Sequence, residues 1–394
     1  MRTAVHNAQL CARTGRAVPP DSRKPHSVTT YTPTANSPAL GTAHLPQAGT
    51  RARAAGGRLA VFDALKAFAS QLIVLHHLVA YGPLSEALRL RFPRLVDWLY
   101  YDGRLAVQVF FVLGGFLAAR ALAPSLQARP LSLSSALWKR YRRLALPCTA
   151  AVLVSIVCAA IARTLIADPS LPAAPHFNQL LAHLLLMHDV VGVEALSAGV
   201  WYVAIDFQLY AMMAITVWLT RLARPPRRTR VLALLTSGLA LLSLFAINRN
   251  PDLDFIAPYF FGVYALGAAA CWLSRRDRSP LWGLAIALAV LLALQIEHRE
   301  RVAVAACVAA SLWVGLRSGA FDRWPDLRPL AFLGRISFSV FLIHYPVAML
   351  VNAFVSRIWG ATPDTAVAGL LFAWIASTVA GAIFHRQVEQ RFGG

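Results

Sequence analysis

The sequence predicts an all-α, polytopic membrane bundle of about ten transmembrane helices, and three observations carry that reading. Of the 394 residues, 57% are hydrophobic and only 14% charged, where a soluble domain carries roughly 25% charged residues. Mean hydropathy is +0.54. From Arg58 onward, apolar runs recur at 59–81, 104–123, 144–166, 200–222, 231–247, 255–273, 281–296, 301–317, 335–356 and 365–385. Each is about 17–23 residues long, enough to cross roughly 30 Å of hydrocarbon as a helix.

Residues 1–57 differ from the rest. They are rich in Pro, Thr, Ala and Arg and hold no long apolar run, so a secretory signal with its apolar h-region is not expected among them. They read as a disordered cytoplasmic tail or an over-extended start, ahead of a transmembrane domain over 58–390.

Basic residues set the orientation. With the N-terminus inside, 28 of the 38 Lys and Arg fall in inner segments and 9 in outer ones, with Lys66 inside the first run. Without the tail the ratio is still 20 to 9, a positive-inside pattern. Acidic residues such as Asp189, Asp254 and Asp364 fall outside. Both termini are expected on the cytoplasmic side of an inner membrane. The net charge of +20 then reflects topology, and nucleic-acid binding is not expected. Cys11, Cys148, Cys158, Cys271 and Cys307 lie far apart with no C-x-x-C or Cys/His ligand spacing, which removes disulfide scaffolds and zinc modules, and no metal site is expected. The amphipathic run 177–191, interrupted by His183, His188 and Asp189, reads as interfacial or re-entrant.

Ionisable side chains within apolar runs are functional candidates by default, and four places hold them. In the first run, Lys66 and His77 are 11 residues apart, about 16 Å along a helix, and share one face; Asp63 sits one turn before Lys66. Lys66 either holds an anionic ligand or snorkels to headgroups, and His77 either moves a proton or sits at the interface. In WKRYRRLALP, Arg140 and Arg143 share a face at i,i+3, and guanidinium forks suit phosphate; a plain topology-setting cluster is the alternative. In GVWYVAIDFQLYAMM, Tyr202, Asp206 and Tyr210 follow at i, i+4, i+8 after Trp201. The aromatics suit an interfacial belt, whereas Asp206 is too deep for one and can orient a histidine or receive a sugar hydroxyl. In LGRISFSVFLIHYPVAML, His344 lies nine residues past Arg335, near mid-membrane, as a functional group or an interhelical packing histidine; Pro346 is expected to kink the helix. FFVLGGFL (110–117) carries Gly114 and Gly115 for close helix approach.

In this order, the segments resemble the acyltransferase-3 family of integral membrane acyltransferases. FDALKAFASQLIVLHH is similar to its first helix, in which Arg or Lys precedes His by ten intervening residues: Lys66 and His77 here. FFVLGGFL resembles FFVLSGFL, with Gly114 where Ser is usual. Arg140-x-x-Arg143 resembles its R-x-x-R, and WYVAIDFQLY its W-S-L-x-x-E-x-Q-F-Y, with Asp206 where Glu is usual and Gln208 and Tyr210 matching. ISFSVFLIHYP resembles ISYSLYLIHYP, carrying His344 and Pro346. The resemblance covers about 58–390.

The resemblance implies transfer of an acyl group, most often acetyl from acetyl-CoA, to a hydroxyl of an extracytoplasmic or lipid-linked glycan, with no permanently bound cofactor. It implies catalytic roles for His77, Asp206 and His344, CoA-phosphate contacts for Lys66, Arg140 and Arg143, and acceptor contacts for Trp201 and Tyr210. With no further domain after the last run, the acceptor is expected to meet the membrane domain itself. A transporter or flippase would also use intramembrane His, Asp and Lys, though the ten runs show no inverted repeat. A glycosyltransferase or polymerase needs larger loops than the longest outer one, 167–199.

Overall fold

The computed structural model describes residues 60–126 and 131–392; the tail expected over 1–57 lies outside them. Among the described residues there is no strand. The chain enters through α1 (Ala60–Ala80), turns through the short α2 (Pro83–Arg91) and α3 (Pro93–Tyr101), and continues as α4 (Val107–Leu122) and the long α5 (Leu133–Leu165). The short α6 (Phe177–Leu184) precedes α7 (Val200–Leu219), α8 (Arg228–Phe245), α9 (Ala257–Leu273) and α10 (Leu281–Ile296). The bundle closes with α11 (Glu300–Ser318), α12 (Arg328–Trp359) and α13 (Pro363–Phe384).

Each of the ten apolar runs coincides with a helix. Seven helical stretches are long and apolar enough to cross a membrane, and an eighth counts if α1 and α2 are taken as one broken span. The apolar α9 and α10, at 17 and 16 residues, are shorter, so length and composition alone support seven or eight crossings rather than ten. The 95° bend between α1 and α2 turns on Gly82, whose φ of +85° favours glycine. Asn352 of α12 fixes this corner by accepting the Leu84 backbone N–H at 3.2 Å.

Two close pairs organise the interior. α1 and α12 run in the same direction: Gly334 lies against the Asp63 backbone near their starts, and His77 meets His344 farther along. α12 continues as one helix through Pro346. α4 and α9 also run in the same direction, with Phe111 stacked on Phe260 at a centroid distance of 4.8 Å and Gly115 beside Tyr264 one turn later. A Cβ on Gly115 would sit 1.9 Å from the Tyr264 carbonyl oxygen, and one on Gly267 would sit 1.9 Å from that of Val112. Backbone therefore packs on backbone, the small-residue contact that membrane helices use where apolar burial gives no drive to associate. This order leaves one end of the bundle arginine-rich, with Arg120, Lys139–Arg143 and Arg275–Arg278, and gathers Asp189, Asp254 and Asp364 at the other.

Gly115→Ala and Gly267→Ala should each destabilise the solubilised protein by about 1–3 kcal/mol or more, because neither backbone can yield without parting the helices. Gly238→Ala, with nothing within 4 Å of the added Cβ, should leave the thermal midpoint unchanged. Equal midpoints for all three variants would show that α4 and α9 do not pack in this way.

Candidate functional site

The candidate site has two parts, one neutral and one ionic. The neutral part is the histidine pair contributed by α1 and α12. His344, with no exposed surface, places Nδ1 2.8 Å from the Phe341 carbonyl oxygen and 3.2 Å from that of Val340. A carbonyl only accepts, so Nδ1 of His344 carries a proton. In the neutral ring its Nε2 is then an acceptor, and His77 Nδ1, 2.9 Å away, must be the donor. This leaves His77 Nε2 with a free lone pair. The hydrogen-bond network thus selects the tautomer in which His77 can accept a proton and share the resulting charge with His344.

His77 opens on a cavity of about 440 Å³ at the acidic end of the bundle. His76, Arg104, Gln108, Trp201 and Asp254 are among its lining residues. Gln108 is buried with its Oε1 unpartnered, and His76 is held by the Leu99 carbonyl, 3.1 Å from Nδ1. Asp189 also reaches the cavity, from the connection between α6 and α7. That connection packs down the flanks of α5 and α7: the Tyr141 hydroxyl donates to the Leu184 carbonyl at 2.7 Å, and Gln208 Nε2 donates to that of Leu186 at 3.3 Å. Burial, with the nearby charge of Asp254, pushes the Asp189 carboxyl up to about 6. Burial and His183 push the adjacent His188 down to about 3, so the 3.3 Å approach of its Nε2 to Asp189 is a contact with a neutral ring, not an ion pair.

The ionic part lies between α5 and α7. Arg140 Nη2 donates to Asp206 Oδ2 at 2.5 Å, and the guanidinium lies over the Tyr210 ring at 5.2 Å. Three polar atoms here are buried without a partner: Asp206 Oδ1, Arg140 Nε and the Tyr264 hydroxyl. Gly114 makes room for them, since a Cβ there would stand 3.0 Å from Asp206 Oδ1 and 3.1 Å from Tyr264 Cε2.

The structure thus brings His77 and His344 together and places Asp206 against Arg140, where the sequence left it to orient a histidine or receive a sugar hydroxyl. Arg140 and Arg143 share the expected helix, but Arg140 turns inward to the carboxylate while Arg143, Arg142 and Lys139 are exposed. Lys66 lies 3.5 Å from the buried Asp63. Trp201 lines the His77 cavity, and Tyr210 lies at the ion pair instead. Gln108, Arg104 and Arg301 were not singled out from the sequence, and Asp189 and Asp254 were read for topology rather than as site residues. Gln108 carried a local signal as a polar side chain inside an apolar run, and Asp189 as a break in the amphipathic run 177–191.

Removing either partner of the Arg140–Asp206 pair should cost about 3–5 kcal/mol, because the other charge is left buried. Arg140→Met combined with Asp206→Leu should recover most of that loss. A thermal-unfolding double-mutant cycle checks this, and additive single losses would place the two charges in independent environments.

The family model described as an acyltransferase domain, Acyl_transf_3, matches residues 59–384. No curated protein and no solved structure matches the chain.

Proposed function

The chain belongs to the acyltransferase-3 family and is a membrane acyltransferase, and from that premise we propose that it transfers acetyl from acetyl-CoA to a hydroxyl of a cell-surface or lipid-linked polysaccharide. The observation that carries this reading is the His77–His344 pair, whose hydrogen-bond order presents an unprotonated nitrogen on a ring that borders a polar cavity. A neutral imidazole is the base suited to an alcohol near neutral pH.

In this reading the acceptor hydroxyl enters from the acidic end. Trp201 offers a flat apolar face, and Asp189 and Asp254 offer hydrogen-bond acceptors for sugar hydroxyls. The CoA phosphates dock at the opposite end, on the exposed Arg143, Arg142 and Lys139, with Lys66 on the same side of the bundle. The pantetheine arm extends inward past Arg140, and its amides satisfy the unpartnered Asp206 Oδ1, Arg140 Nε and Tyr264 hydroxyl. His77 Nε2 removes the proton as the hydroxyl oxygen bonds to the thioester carbon. The C–S bond then breaks, and the proton returns from His77 to the departing thiolate. The products are an O-acyl ester and free CoA. In this reading the arginine-rich donor side faces the cytoplasm of a cell with the protein in its inner membrane.

The test is purified protein in nanodiscs with radiolabelled acetyl-CoA and an envelope-glycan fraction. Free CoA and base-labile label in the glycan are the expected products. His77→Ala should lower kcat by about 10²–10⁴, the usual contribution of a general base, with the fold intact by thermal unfolding. Arg143→Ala should raise KM for acetyl-CoA and leave kcat nearly unchanged. Folded protein that neither binds nor consumes any acyl-CoA would overturn the donor assignment. Wild-type turnover by folded His77→Ala would overturn that of the base.

pH gives a separate handle. Asp189 gains its negative charge as pH rises through about 6, so KM for a neutral glycan should change between pH 5 and 7. Asp189→Asn should flatten that dependence, and an unchanged profile would remove Asp189 from the acceptor site.

A further inference from the structure

A second cavity lies away from both parts of the site. It occupies about 800 Å³ between α4, α8, α9 and α10, on the far side of α9 from the ion pair. It exists because α10 stands off from the bundle, with only Gly283, Val290 and Ala293 buried along its 16 residues. α10 and the helices facing it are also lined with alanine, including Ala285 and Ala289 on α10 and Ala233, Ala240, Ala265 and Ala269 opposite. A gap this large beside a loosely packed helix forfeits many contacts if left unfilled, and in a bilayer the medium that fills an apolar gap is an acyl chain.

Two further features specify the occupant. Arg120, Arg275 and Arg278 all line the cavity, and all belong to its arginine-rich end. Asp277 compensates Arg275 at 3.1 Å, while Arg120 and Arg278 make no ion pair among the described residues. Deeper in, Thr236 is buried with its hydroxyl unpartnered and lines the same space. It lies seven residues along α8 from the cavity residue Thr229, about 10 Å farther from the mouth. The wall of α8 continues to Leu244, so the space extends roughly 22 Å along that helix, the reach of a fatty acyl chain. Cations at the mouth, a hydroxyl donor below them and an apolar slot beyond match a phosphate, an ester carbonyl and a chain in that order.

We propose that this cavity binds one molecule of an anionic glycerophospholipid from the leaflet at the arginine-rich end. Its phosphate pairs with Arg120 and Arg278, an ester carbonyl accepts from Thr236, and one acyl chain lies between α8, α9 and α10. The site is independent of the transfer reaction and requires no chemistry on the lipid.

Native mass spectrometry of the full chain, with phosphatidylglycerol and phosphatidylcholine of identical chains as probes, tests the assignment. One phosphatidylglycerol should be retained per chain, preferred about tenfold because two arginines without an ion pair among the described residues line the mouth. Arg120→Ala with Arg278→Ala should bring the ratio close to one, and Ala240→Trp with Ala289→Trp should expel the lipid. Equal retention of both lipids by the wild type, or undiminished retention by the filled variant, would overturn the proposal. Displacement of the phospholipid by palmitoyl-CoA at equal concentration would overturn its source.

Trp272 and Trp282 line the cavity and give a readout that needs no filled variant. Phosphatidylglycerol carrying a brominated chain should quench the wild type more than Trp272→Phe with Trp282→Phe. Equal fractional quenching in the two proteins would place the chain elsewhere.

Discussion

A charge pair inside an apolar bundle is the constraint around which the central helices are arranged. Arg140 and Asp206 sit within helices that otherwise present mostly hydrocarbon, where an isolated charge costs several kcal/mol. Their 2.5 Å contact therefore fixes α5 against α7 in one register. It also shapes the neighbours: Gly114 of α4 leaves the space that Asp206 Oδ1 and the Tyr264 ring occupy. The next residue, Gly115, lets α4 approach the α9 backbone. Four helices are thus held by one ionic contact and one glycine contact that are neighbours in space. A side chain larger than glycine at either position would act on both.

The α1–α12 half solves the same problem without charge. His77 and His344 are neutral donors and acceptors in series, ending on the Phe341 and Val340 carbonyls. Every ring nitrogen is satisfied except His77 Nε2, and that ring lines the polar cavity. An ion pair is suited to holding a position, because its charges must stay together in a low dielectric. A neutral imidazole pair is suited to moving a proton, because gaining one creates a charge the second ring can share. On the proposed function, the division of the ionisable groups between the two halves is a division of labour between anchoring and reaction.

Much of this architecture was legible in the sequence, because apolar run length is a direct imprint of the lipid environment. All ten runs coincide with helices, and the Asp63–Lys66 contact follows from i,i+3 spacing. What escaped was anything decided by helix-to-helix contact. Spacing puts Arg140 and Arg143 on one face, yet a 60° difference in azimuth is enough for one to reach Asp206 and the other to face outward. The partner of Asp206 lies 66 residues away in sequence, and nothing local chooses between an arginine and a histidine. The cavity residues Asp189, Asp254 and Arg301 sit at the ends of different elements and meet only in the assembled bundle. The extension of α5 back to Leu133 and of α12 back to Arg328 was hidden because polar and charged residues near their starts, Ser134 to Arg143 in α5 and Arg328 and Arg335 in α12, lower the local hydropathy without breaking the helix.

The two cavities follow from the same packing logic applied to opposite ends. Where helices approach through glycine, as α4 does α9 at Gly115 and Gly267, backbone meets backbone and no cavity remains. Where alanine lines a helix that has no close partner, as at α10, the gap is left apolar and long. At the acidic end the helices are separated by the connection between α6 and α7, which brings Asp189 to the gap and makes it polar. The side-chain chemistry at each opening is therefore set by what holds the helices apart: a polar loop over the histidines, and small apolar residues behind α9. If the proposed transfer and the proposed lipid site both hold, the two walls divide the work: one polar and open to the acceptor, the other apolar and filled by the bilayer so that α10 keeps its place.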